Sequence, residues 1–131
     1  MDDVPIKSGD DVVRVRQHVR TAAAGSGLSL VDQTKVVTAA SELARNALIH
    51  GGGGVARVEV TASANGRPGV RVTFSDSGPG ILDVDLAMTD GWTTGGGLGL
   101  GLSGARRLVD DFELTSEPGA GTTIVVSKWS R

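Results

Sequence analysis

Half of the fourteen residues from 91 to 104 are glycine: Gly91-Trp92-Thr93-Thr94-Gly95-Gly96-Gly97-Leu98-Gly99-Leu100-Gly101-Leu102-Ser103-Gly104. A glycine inside a helix or strand costs about 0.5–1 kcal/mol relative to alanine. A packed core element is not built from such a stretch. A chain that accepts this cost needs a backbone that can move or approach another group closely. An apolar run follows the glycines directly, as at the start of a helix. Free N–H groups at a helix start bind anions, and phosphate is the usual one. What the stretch does depends on the residues placed around it.

The 131 residues suffice for one domain with a real core, and we expect residues 1–131 to form a single unit. A net charge of −2 excludes the strongly basic footprint of a nucleic-acid binder, and 39% hydrophobic content excludes a disordered chain. With no cysteine there is neither a disulfide framework nor a thiolate zinc site. No apolar stretch approaches the ~18 residues of a membrane span, and the acidic start Met1-Asp2-Asp3-Val4 lacks a signal-peptide core. The expectation is a cytoplasmic protein with no membrane or nucleic-acid partner. Aromatic content is only 3%, so Val, Leu, Ile and Ala must fill the core.

The spacing of apolar residues predicts the order strand, two helices, two strands, helix, two strands. Val4 to Lys7 reads as a strand. Ser8 or Asp10 can cap a helix whose face carries Val12, Val15, Val19 and Ala22. Gly25-Ser26-Gly27 ends it. Ser29 followed by Asp32 resembles a capping box with a shortened acid. A long helix then runs to about His50, where four glycines stop it. Residues 55–62 and 70–76 alternate as strands around the turn Asn65-Gly66-Arg67-Pro68-Gly69. Residues 82–90 read as a weak helix, and a further helix is expected from Ala105 to Phe112. Phe112 to Glu117 and Thr122 to Trp129 are the last strands. This order predicts an α+β fold: a two-layer sandwich with helices on one face of a mixed, mostly antiparallel sheet.

Four places carry chemistry. Gly99, Gly101 and Gly104 satisfy G-x-G-x-x-G. Only 27 residues remain after Gly104, too few for the rest of a dinucleotide-binding domain, and no phosphate-loop lysine motif occurs. Asp76 ends a strand on the side of Val70, Val72 and Phe74, so its carboxylate points toward the core side. A buried charge needs a partner. The exocyclic amine of adenine suits an acceptor-only carboxylate, while an Asx turn before Gly78-Pro79-Gly80 is the plainer alternative. Glu42 and Asn46 lie one turn apart on the long helix. The Asn46 oxygen is a hard ligand suited to Mg²⁺, and Glu42 can orient or deprotonate a nucleophile; the plainer alternative is a solvated polar stripe. His50 reads as a helix end before a metal ligand. Gly121-Thr122 alone is only a turn.

Taken in order, these words resemble the ATP-binding domain of the GHKL (Bergerat-fold) ATPases, which include gyrase-type ATPases and histidine kinases. They are Ser41-Glu42-Leu43-Ala44-Arg45-Asn46, Asp76-Ser77-Gly78-Pro79-Gly80-Ile81, Asp90 to Gly99, and Gly121-Thr122. With Val31-Asp32-Gln33 and the ending Lys128-Trp129-Ser130-Arg131, the chain is most similar to the single-domain anti-sigma-factor-type serine/threonine kinases of the stressosome-switch kind. The resemblance implies two cofactors, ATP and Mg²⁺. Asn46 would hold the metal and Glu42 would act on the substrate hydroxyl. Asp76 would read adenine, with Gly78, Gly80 and Ile81 around it and Thr122 supporting Asp76 through water. Thr94, Gly95, Gly96, Gly97, Leu98, Gly99, Leu100, Gly101 and Leu102 would form a lid over the phosphates. It also implies phosphoryl transfer to STAS-domain antagonist or scaffold proteins and a switch to a PP2C-type phosphatase. The alternative is an anti-sigma factor that sequesters a sigma factor. One departure stands out: residues 91–105 contain no Lys or Arg. Transition-state charge would then fall to Mg²⁺, backbone amides, or Arg45, Arg106 or Arg107. Arg45 sits about 100° around the helix from Asn46.

Overall fold

The computed structural model describes residues 2–78, 101–117 and 119–131. Five strands form one sheet in the order β1-β2-β3-β5-β4. They are β1 (Asp2–Ile6), β2 (Gly54–Ala62), β3 (Pro68–Asp76), β4 (Asp111–Glu117) and β5 (Gly121–Trp129). Every pairing among them is antiparallel. Three helices are described: α1 (Gly9–Gly25), α2 (Leu30–His50) and α3 (Gly101–Arg107). The predicted element order is the observed one. The weak helix expected over residues 82–90 lies outside the described residues.

Period-two alternation decides which sheet face is covered. Ala56 and Val58 of β2, Val70, Val72 and Phe74 of β3, and Ile124 and Val126 of β5 are all buried. These even-numbered positions meet Val15, Val19 and Ala23 of α1 and Val36, Val37, Ala40, Leu43 and Ala47 of α2 in one core. The odd-numbered positions form the other face, where Arg57, Thr73, Val125 and Glu113 stand in one row across four strands. Val60 follows the core parity but is 57% exposed, because it lies toward the hairpin end of β2. The helices therefore form a single layer, and the architecture is the predicted two-layer sandwich.

Local chemistry sets the helix ends. Ser29 accepts a hydrogen bond from the Asp32 amide (3.1 Å), as the capping pattern predicts for α2. At α1, Ser8 occupies the cap position, but its side chain makes no capping bond. Asp11 ties the preceding residue to the first turn: its carboxylate accepts from the Lys7 amide (2.8 Å) and pairs with Arg14 (2.8 Å). Ser8 is thus the cap by position, as expected, but without its hydroxyl bond, and Asp10 plays no capping part.

The last helix lies earlier than its apolar spacing suggests: the expected span is Ala105 to Phe112, and the observed one is Gly101–Arg107, beginning inside the glycine stretch. It ends at Arg107 and does not reach Phe112. Leu108 and Val109 close it with bonds to carbonyls three residues back. The Asp110 amide then donates to the Ser127 carbonyl (2.9 Å), and β4 begins at Asp111. Leu108, Val109 and Phe112 still pack on the core, but as a turn and a strand. Sheet pairing with β5 outweighs the local helical pattern.

β5 also carries a cation into the core. Lys128 follows the parity of Ile124 and Val126, so its side chain points toward the helices and is only 4% exposed. Asp32 at the start of α2 (3.6 Å) and Asp110 (3.4 Å) meet it there. Arg131 joins Asp110 at 2.9 Å, and the Trp129 amide donates to the same carboxylate at 2.8 Å. The Asp32 carboxylate thus serves a long-range ion pair beside its place in the cap. Buried charge is tolerated only when paired in this way.

Candidate functional site

α2 carries two polar side chains, Glu42 and Asn46, in the middle of an otherwise apolar and buried face. Leu43, Ala44 and Ala47 beside them are buried, while Glu42 and Asn46 are half-buried. Their spacing places them one turn apart on the helix. Glu42 Oε1 accepts a hydrogen bond from the Gly101 amide (3.3 Å). Gly101 begins α3 with φ of +72°, a conformation suited to glycine. The candidate acid is therefore tied to the last part of the glycine stretch.

Arg45 is exposed and lines a groove between α1 and α2 of about 690 Å³. Arg16 and Arg20 of α1 line it as well, and Glu42 and Ser41 form part of the same wall. The sequence places Arg45 off the Asn46 side, and the structure puts it in this groove. Glu42 is consequently reachable from the groove as well as from α3.

Asp76 ends β3, half-buried and on the helix side of the sheet, as alternation requires. Its Oδ1 accepts from the Gly78 amide (2.9 Å), which is the turn that the plainer sequence reading anticipates. A carboxylate has two oxygens and several lone pairs, so this turn leaves acceptor capacity for a ligand. Both readings of Asp76 are compatible in one geometry.

The partner strand runs close against the Asp76 backbone. Thr122 stands opposite Asp76 in the β3–β5 register. The Thr122 and Ser116 hydroxyls share a hydrogen bond of 2.9 Å. Gly121, with φ of +95°, brings its backbone so close that a Cβ there would overlap the Asp76 carbonyl oxygen. Sequence reasoning missed Ser116, which is an ordinary serine in an alternating strand until β4 and β5 pair. It also missed Gly51, which reads only as a helix stop. The one available signal was excess: one glycine suffices to end a helix, and here four follow His50.

Of the residues singled out from the sequence, Glu42, Asn46, Asp76, Gly78, Gly101, Leu102 and Thr122 are described. α2 joins two groups of them, with Glu42 against Gly101 and the helix end against Asp76. Gly80, Ile81, Thr94, Gly95, Gly96, Gly97, Leu98, Gly99 and Leu100 lie outside the described residues. Among the described residues there is no cluster of three or more His, Cys, Asp or Glu side chains able to hold a metal. No described helix is long and apolar enough to cross a membrane.

Residues 31–130 match the family described as histidine kinase-, DNA gyrase B-, and HSP90-like ATPase. The chain is 45% identical over 121 residues to the serine/threonine-protein kinase RsbT of Bacillus subtilis, covering 92% of this chain and 90% of that one. It is 35% identical over 101 residues to an anti-sigma F factor of Halalkalibacterium halodurans, covering 74% and 69%. Its fold is similar to the histidine kinase domain of the Erythrobacter litoralis EL346 blue-light activated histidine kinase. There the TM-score is 0.53 at 21% identity, over 95% of this chain and 60% of that chain. The family match over residues 31–130 and the 45% identity to RsbT make the chain a member of the histidine kinase-, DNA gyrase B- and HSP90-like ATPase family.

Proposed function

We propose that this single domain is an ATP-dependent serine/threonine protein kinase that phosphorylates a STAS-domain partner. When that partner releases it, the kinase would engage a PP2C-type phosphatase in sigma-factor or stress control. The observation that carries the reading is the junction on α2. One helix presents Glu42 to the start of α3 and sets its own end against Asp76. The 45% identity to RsbT, a serine/threonine-protein kinase, supports the same assignment.

In this reading Asp76 accepts the purine amine with the oxygen that Gly78 does not use. Thr122, held by Ser116, supports it through water. Gly78, Gly80 and Ile81 give the ring room, and residues 94–102 cover the phosphates. Asn46 suits Mg²⁺ because its oxygen is hard and neutral. A magnesium site typically takes one or two protein ligands and completes its shell with phosphate oxygens and water. The ion would neutralise charge on the β- and γ-phosphates. The acceptor hydroxyl reaches Glu42 from the α1–α2 groove, where Arg16, Arg20 and Arg45 offer positive charge. Glu42 takes the hydroxyl proton as the serine oxygen bonds to the γ-phosphorus. The bond from that phosphorus to the bridging oxygen breaks, and ADP leaves.

The test is phosphate transfer from labelled ATP to a STAS protein encoded beside this chain. Wild type should yield phosphoserine or phosphothreonine, and Glu42→Ala should lower the rate by 10²-fold or more, the scale of a lost general base. Tight ATP binding without transfer to any STAS partner would refute the kinase reading. The second reading, sequestration of a sigma factor, is favoured by the identity to anti-sigma F factors. Recovery of a sigma factor by the tagged chain, with no STAS protein or phosphatase, would select it.

A further inference from the structure

Gly51 follows the last residue of α2, with φ of −90° and ψ of −7°. Any L-residue adopts that conformation, so backbone geometry does not call for glycine here. Space does. A Cβ built on Gly51 would overlap Asp76 Cγ and stand 2.6 Å from Asp76 Cβ and 2.8 Å from the Ala47 carbonyl oxygen. The contact is two-sided. A Cβ on Gly78, whose amide holds Asp76 Oδ1, would stand 2.6 Å from Gly51 Cα and 3.0 Å from its carbonyl oxygen. The turn after β3 and the end of α2 therefore pack backbone against backbone, with the Asp76 side chain filling the place a residue-51 side chain would take.

We propose that Gly51 is a positioning residue for recognition of the purine 6-amino group. Its missing side chain lets the Asp76 carboxylate sit where it meets that amine. This rests on the reading that Asp76 contacts adenine. A methyl group at position 51 forces the carboxyl group to rotate or the strand end to shift, since packed interiors do not absorb such an overlap freely. Asn46 lies on the same helix, about 7–8 Å along its axis from Gly51 at 1.5 Å per residue. α2 thereby sets the phosphate and the base contacts on one rigid element, and Gly51 is its contact with the base end.

The experiment is calorimetric titration of the whole chain with Mg·ATP and with Mg·ITP, without an acceptor protein. ITP replaces the amino donor with a carbonyl oxygen, which a carboxylate rejects. Wild type should prefer ATP by about 100-fold or more, as sites that hydrogen-bond a donor reject analogues lacking it. Gly51→Ala should reduce the preference to about tenfold or less, with ITP affinity little changed and unfolding still cooperative. Gly52→Ala is the control: Gly52 has φ of +72° and nothing within 4 Å of a built Cβ, so it strains the same loop without touching Asp76. It should keep the wild-type preference.

An unchanged preference in Gly51→Ala, equal losses for ATP and ITP, or an equal effect in Gly52→Ala would each overturn the proposal. If Gly51→Ala does not fold, Gly78→Ala closes the same junction from the other side and should lower the preference; no change there is the overturning result. A wild type without preference, and an Asp76→Asn variant identical to it, would instead remove the Asp76 assignment on which the role of Gly51 depends.

Discussion

At its start α2 meets the sheet through charge, and at its end through the lack of a side chain. Asp32, in the first turn, faces the buried Lys128 of β5, with Asp110 and Arg131 completing the cluster. At the other end, Gly51 lets Asp76 of β3 fill the space beside it. The two junctions lie at opposite ends of the same central strands, since Lys128 pairs with Val70 near the start of β3 and Thr122 with Asp76 at its end. The first consumes the capacity of its charged groups within the protein. The second leaves part of a carboxylate for something else. A fold that must hold a ligand at one end benefits from fixing its helix at the other.

The comparison breaks most visibly at Lys128. Lys128→Ala leaves Asp32 and Asp110 facing each other with only Arg131 between them. Removing one partner of a buried ion cluster costs about 3 kcal/mol or more, and urea unfolding should register it as a lower midpoint. Nucleotide affinity, measured where the variant is folded, should change less than about threefold. A large loss of ATP affinity there would mean the two ends are not independent.

Next in size is the opposite end. Asp76→Asn and Asn46→Asp should each weaken Mg·ATP binding by about 100-fold, which is near 2.7 kcal/mol of binding energy. Stability should move by less than about 1 kcal/mol, since neither is a buried ion-pair partner. Normal Mg·ATP affinity in either variant would refute the site. Ser116→Ala removes one hydroxyl from the Ser116–Thr122 pair and should cost about 1 kcal/mol of stability, with a smaller loss of ATP affinity than Asp76→Asn if Thr122 supports Asp76.

The smallest effect concerns pH at the charged end. Burial opposes ionisation of Asp110, but the Trp129 amide, Lys128 and Arg131 outweigh it and hold its carboxyl below the ordinary value of 3.8. A carboxyl lowered by folding contributes stability that is present above its unfolded value and lost as pH falls through its folded value. The thermal stability of wild type should therefore fall below about pH 4, and Asp110→Asn should flatten part of that dependence. The same substitution should leave the ATP preference over ITP untouched.

Much of this was legible along the chain. Ser29 and the four glycines after His50 bracket α2 because capping and chain breaking are local chemistry. Alternation in residues 55–62 and 70–76 gave the sheet faces, and with them the inward direction of Asp76. The end of α3 was not legible. Leu108, Val109 and Phe112 keep an apolar spacing that a helix and a strand can both use, and only pairing with β5 decides between them. Alternation in the last strand turns Lys128 toward the core side, but nothing local names the acids that pair with it there. Its partners Asp32 and Asp110 come from a helix start and a turn that meet only in the folded chain.

The sequence by itself determined the order of elements, the core faces of residues 55–62 and 70–76, the one-turn spacing of Glu42 and Asn46, and the core-side direction of Asp76. These follow from interactions within a few residues, where periodicity and capping act. Only the tertiary structure decided that Gly101 meets Glu42, that Ser116 meets Thr122, that Lys128 lies between two acids, and that Gly51 makes room for Asp76. Each of those contacts joins separate elements, and its distance is set by how helices and sheet pack across the core.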